Sequence, residues 1–186
     1  MTIPIFASTL CGLLFLVEKL MPWRRKSGSE GGWDKGSSSG IKLASALVPV
    51  GIVIGYTQIG RIQTGRVFIA VSGILAAFAG VLLRWSAILT LKQYFTLDVA
   101  ILDDHRIVKS GLYRHIRHPS YTGFLLRYLG GGLAFANWLS LLIIFLPMMI
   151  AILYRIKIEE RALTQAFGKE YVDYVRVTSR LVPKLY

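Results

Sequence analysis

Apolar residues in this chain gather into long runs instead of alternating with polar ones. A helix that crosses a bilayer needs roughly 20 mostly apolar residues, and five runs approach that length. The first is Ile3 to Met21, closed by Pro22-Trp23-Arg24-Arg25-Lys26. The second is Ile41 to Ile59, with Pro49 as an expected kink because proline withholds an amide from the helix. The third is Gly65 to about Leu83, with helix continuing towards Leu91. The fourth, Tyr121 to Ala136, is short. The fifth is Leu139 to Tyr154, with Pro147 inside it. Only Asn137 and Trp138 separate the last two, which predicts a tight antiparallel hairpin with Trp138 at the membrane interface. The first run has no basic stretch before it and no Ala-x-Ala site after it, so it reads as a retained helix and not as a cleaved signal. The predicted class is all-α: a single polytopic membrane domain with about five transmembrane helices.

Charge orients the runs. Lys and Arg number six, two, six, none and seven in the successive connections and the tail, with Arg127 left inside the fourth run. Basic residues favour the cytoplasmic side, so this alternation puts the N-terminus outside and the first loop, third loop and C-terminus inside. Glu18, Lys19, Lys42 and Arg155 lie near run ends, where long side chains reach water. The Gly/Ser-rich stretch Ser27 to Gly40 reads as a flexible linker with no chemistry. Beyond the fifth run, Ile158, Ala162, Leu163, Ala166 and Phe167 keep helical spacing and Gly168 interrupts it. Tyr171, Tyr174 and Val175 resume the pattern, so cytoplasmic amphipathic helices against the membrane surface are expected here.

Composition fits that picture. Of 186 residues, 54% are hydrophobic and 17% charged, against about a quarter charged in a soluble domain. The net charge of +12 would raise nucleic-acid binding in a soluble chain. Here the basic residues flank apolar runs, so the lipid bilayer is the expected partner and nucleic acid is not. Cys11 is the single cysteine and sits in an apolar run, where it reads as a small buried hydrophobe. No metal site, phosphate loop or dinucleotide fingerprint is present. Gly123 and Gly130-Gly131-Gly132 lie inside an apolar run, where glycines serve close helix packing.

Two polar regions stand out, His105 to Tyr121 and Arg155 to Arg161, and the hairpin between the fourth and fifth runs returns both to one membrane face. Arg155 and Glu159 are one helical turn apart. They read either as an ion pair that ends the helix or as functional groups, since a carboxylate at a membrane boundary is costly unless paired or solvated. Arg117-His118-Pro119 opens the fourth helix. Proline suits a first helical turn, and free amides at a helix start favour an anion. His118 and Tyr121 stand at that mouth, His118 with structural and catalytic readings equally open.

Two stretches carry a resemblance. They are Gly111-Leu112-Tyr113-Arg114-His115-Ile116-Arg117-His118-Pro119-Ser120-Tyr121-Thr122-Gly123, and Arg155-x-x-x-Glu159-Glu160-x-x-Leu163-x-x-x-Phe167-Gly168-x-x-Tyr171-x-x-Tyr174, followed by Arg180-x-x-Pro183. Together they resemble the isoprenylcysteine carboxyl methyltransferase family, over about Thr96 to Tyr186. Residues 1–95 are then less-matched transmembrane helices and 96–186 a methyltransferase-like catalytic region. The resemblance implies S-adenosylmethionine as cofactor. It implies cofactor contacts at His105, Arg106, Ile107, Val108, Tyr113, His118, Pro119, Ser120, Tyr121 and Glu159, with Glu160 as a neighbour. Arg155 is implied to face the methyl acceptor, a carboxylate on a hydrophobic or prenylated substrate. The active site would lie on the cytoplasmic face of a plasma or inner membrane in a prokaryote, or of the endoplasmic reticulum in a eukaryote. Phospholipid N-methylation is the second reading, a membrane reductase using NADPH the third, and a non-catalytic membrane subunit the fourth.

Overall fold

The computed structural model describes residues 2–19, 36–96, 98–99, 101 and 106–183. Their regular structure is helical: α1 (Thr2–Lys19), α2 (Ser37–Ala46), α3 (Val48–Gly55), α4 (Arg66–Leu91), α5 (Pro119–Leu133), α6 (Trp138–Phe167) and α7 (Lys169–Val177). Single 3₁₀ turns lie at Lys92–Tyr94 and Gly111–Arg114. Among the described residues there is no strand, only isolated bridges pairing Arg61 with Asn137 and Ile116 with Ser179. Three stretches, Ser37–Gly55, Arg66–Tyr94 and Trp138–Phe167, are long and apolar enough to cross a membrane. Length and composition thus identify three of the five expected crossings. Phe68, Leu75, Leu142 and Ile150 are exposed, an apolar outside suited to lipid.

Three boundaries differ from the sequence expectation, each for a local reason. The second run is broken at Leu47 into α2 and α3, because Pro49 belongs in a first helical turn, where its missing N–H costs nothing. The turn before α6 is Ala134 to Asn137, and Trp138 is already helical. Asn137 caps α6: its side-chain oxygen accepts from the amides of Leu139 and Ser140, both at 3.0 Å, while its side-chain amide donates to Ile59 O at 2.8 Å. Lastly, α6 runs unbroken for 30 residues. Its polar end continues the spanning helix, and Ile158 and Ala162 are buried against Val99. The helix stops at Gly168, whose positive φ of 52° is one that glycine adopts without strain.

α4 and α5 approach most closely, and glycine is the reason. A Cβ on Gly80 would lie 2.5 Å from Arg127 N, one on Gly123 2.5 Å from Arg84 N, and one on Gly130 2.3 Å from Ala77 N. Small residues let membrane helices pack backbone to backbone, and this seam fixes where α5 begins. Gly123→Ala should therefore lower stability in detergent by about 1–3 kcal/mol, read by thermal unfolding. Gly12→Ala, with no atom within 4 Å of the added carbon, should change it by no more than about 0.5 kcal/mol.

Candidate active site

α6 presents Arg155 and Glu159 on one face, and the start of α5 brings Tyr121 between them. The Tyr121 hydroxyl donates to Glu159 Oε2 at 2.6 Å and accepts from Arg155 Nε at 2.9 Å. Arg155 is 3% exposed. Its Nη1 donates to Ser37 Oγ at 3.2 Å and Ser38 Oγ at 3.4 Å. Ser38 in turn donates to Asp98 Oδ1 at 2.9 Å. A buried guanidinium is costly unless its donors are satisfied, and here α2 and α5 supply acceptors. Gly36 to Gly40 is therefore a helix start that meets Arg155, a correction to the linker reading. Residues 27–35 of that stretch lie outside the described residues.

Glu160 points the other way, into a clamp on the C-terminal segment. Its carboxylate accepts from Arg117 Nε at 3.2 Å, Arg180 Nε at 3.1 Å and Arg180 Nη2 at 2.8 Å, with His118 Nε2 at 3.4 Å. Arg117 also donates to the carbonyls of Val175 and Thr178. The backbone joins in: Arg117 N donates to Ser179 O, His118 N to Arg180 O and Ser179 N to His115 O. His118, 4% exposed, is held between the two glutamates, its Nδ1 3.8 Å from Glu159 Oε1, and stacks on Tyr121.

Above these groups lies a cleft that opens at one side. Arg106, Ile107, Val108, Tyr113, His118, Ser120, Tyr121, Arg155 and Glu159 line it, so the structure brings most of the expected site residues together. Glu160 does not line it, being taken up by the clamp. Pro119 is fully buried at the start of α5 and also lies off the wall. His105 lies outside the described residues. At that helix start, His118 N is spent on Arg180 O, and Tyr121 N and Thr122 N turn back to His118 O. The anion site expected there is reduced to little more than the Ser120 amide.

Other lining groups carried no assigned role in the sequence. Tyr94, Phe95, Asp98 and Val99 come from the connection after α4, and Leu163, Tyr171 and Tyr174 from α6 and α7. The two tyrosines stood in the second motif, which was the available signal, while Ser37 and Ser38 had none beyond composition. Burial pushes the phenols of Tyr113 and Tyr171 up and that of Tyr174 up to about 12, so all three stay neutral. Tyr174 spends its proton on Tyr113 O at 2.6 Å. The Tyr171 hydroxyl is buried with no hydrogen-bond partner among the described residues.

A second cavity shares no lining residue with the first. It lies between α1 (Cys11, Leu14), α2 and α3 (Lys42, Ser45, Pro49, Ile52), α5 (Arg127, Tyr128) and Ile144 of α6. Arg127 is buried there with its guanidinium over the Phe124 and Tyr128 rings.

The chain is similar to known proteins over this same region. The model of the Isoprenylcysteine carboxyl methyltransferase (ICMT) family matches residues 72–165. Protein-S-isoprenylcysteine O-methyltransferase B of Arabidopsis thaliana is 34% identical over 113 residues, 60% of this chain and 57% of that protein. The protein-S-isoprenylcysteine O-methyltransferase of Saccharomyces cerevisiae is 41% identical over 71 residues, 38% of this chain and 30% of that protein. The solved structure of a eukaryotic intramembrane Ras methyltransferase shares the fold, with a TM-score of 0.56 and 24% identity over 86% of this chain and 54% of that one. The chain spans about half the length of the curated relatives it matches.

The clamp makes its own prediction. Glu160→Gln removes the charge that three cationic or imidazole partners face, and should cost about 2 kcal/mol in thermal unfolding. Cleavage of the C-terminal segment by added protease should accelerate in the same variant.

Proposed function

The chain belongs to the isoprenylcysteine carboxyl methyltransferase family, and on that premise we propose that it is an integral membrane enzyme that methylates a carboxylate on a hydrophobic or prenylated substrate, with S-adenosylmethionine as donor. The observation that carries this reading is the Tyr121 hydroxyl between Glu159 and Arg155 at 2.6 and 2.9 Å on the wall of the first cavity. It sets an acidic group and a permanent cation a fixed distance apart, which suits a cationic donor beside an anionic acceptor.

The residues fit the donor. Glu159 can accept from an ammonium or from ribose hydroxyls, Tyr94, Phe95 and Tyr113 offer aromatic walls to a purine, and the Tyr171 hydroxyl is buried without a hydrogen-bond partner among the described residues. Arg106, Ile107, Val108, His118 and Ser120 border the same space. When bound, the donor supplies an electrophilic methyl on sulfur: a carboxylate oxygen forms the bond to that carbon while the carbon–sulfur bond breaks and its electron pair stays on sulfur. A carboxylate acceptor is already ionised, so no base is needed and the protein contributes positioning. Arg155 suits the acceptor because a guanidinium stays charged and attracts a carboxylate. The apolar part of the acceptor has room in the second cavity, since Ser38, Lys42 and Ser45 share one face of α2 and lead there from Arg155's partners. Residues 96–186 form the catalytic region in this reading. The loop charges support a site on the cytoplasmic face, with about five crossings and the N-terminus outside.

Calorimetry on detergent-purified protein tests the donor: heat with S-adenosylmethionine is expected, and heat with NADPH alone would rule the reading out. Glu159→Ala should abolish that binding. Arg155→Ala should keep it while losing methyl transfer to an N-acetyl-S-prenylcysteine, and full activity of this variant would refute the role of Arg155. A tag beside Asn137 should be reachable only from outside the cell.

A further inference from the structure

Ser37 and Ser38 lie outside the stretch that matches the family model, yet they touch the group that faces the acceptor. Arg155 enters an apolar interior, and its Nη1 side meets two hydroxyls, Ser37 Oγ at 3.2 Å and Ser38 Oγ at 3.4 Å. Ser37 is 0% exposed, so its position is set by packing. Ser38 gives its own proton to Asp98 Oδ1 at 2.9 Å, which leaves its lone pairs for the guanidinium. We propose that the serine pair at the start of α2 positions Arg155 for the acceptor carboxylate. The inference rests on the carboxyl methyltransferase reading above and extends it to residues on a different helix.

The choice of hydroxyl matters electrostatically. A carboxylate in place of Ser37 or Ser38 would satisfy the same N–H groups but neutralise the guanidinium, and an anionic substrate would then have to displace it. A hydroxyl fixes the direction of the side chain without adding a negative charge of its own. On the other side Tyr121 does the same, standing between Arg155 and the Glu159 carboxylate. The three hydroxyls that hold the guanidinium are neutral, with the carboxylates of Asp98 and Glu159 each one hydroxyl removed.

Steady-state methylation of an N-acetyl-S-prenylcysteine by the full chain in lipid nanodiscs tests this, alongside calorimetry with S-adenosylmethionine. Ser37→Ala and Ser38→Ala should each raise the acceptor KM, roughly tenfold for the buried Ser37, with donor affinity unchanged. Ser38→Thr, which keeps the hydroxyl, should restore most of what Ser38→Ala loses. Variants that lower only the thermal stability, with the acceptor KM of the wild type, would show that the pair merely packs and would overturn the inference. Failure of the wild type itself to methylate a carboxylate would instead refute the reading beneath it.

Discussion

A single buried guanidinium organises this molecule. Arg155 sits 3% exposed within α6, and leaving it without acceptors in an apolar interior would cost several kcal/mol. Acceptors on both sides remove that cost: the Tyr121 hydroxyl from α5 and the Ser37 and Ser38 hydroxyls from α2. Satisfying one side chain therefore ties three helices together at one level of the bundle. These three partners are neutral hydroxyls, and the same side chain lines the cavity wall, where structure and proposed chemistry meet.

Two other constraints place the partners. The glycine seam between α4 and α5 lets the backbones meet, with Gly80 facing Arg127 and Gly123 facing Arg84, and so sets the height of His118 and Tyr121 against α6. The Glu160 clamp then closes the C-terminal segment onto the start of α5 through Arg117 and Arg180. Adjacent glutamates on one helix thereby take separate jobs. Glu159 borders the cavity, and Glu160 is consumed in holding the segment behind it. Their side chains are about 100° apart around a helix, which is enough to separate the two roles.

Much of this was legible in the sequence. Runs of apolar residues marked the helices, and the hairpin between the last two runs brought His118, Tyr121, Arg155 and Glu159 to one end of the bundle. Gly168 ended α6 where its backbone freedom predicts. What the sequence did not disclose depends on neighbours distant along the chain. Ser37 and Ser38 look the same in a linker as in a helix start until Arg155 is beside them. Glu160 looks like a twin of Glu159 until Arg117 and Arg180 are in place. The polar end of α6 reads as a surface helix because Ile158 and Ala162 have helical spacing, but their partner is Val99. Hydrophobic periodicity shows that a face is covered and not by what.

In the proposed reaction, one hydroxyl couples the donor side of the site to the acceptor side. Tyr121→Phe removes that hydroxyl and little else, so the direct measurement is donor affinity and acceptor KM on this variant in one preparation. Both should weaken, each by roughly five- to tenfold, because Glu159 and Arg155 lose their shared partner. Wild-type values for both would mean instead that the two charged groups are positioned independently of Tyr121.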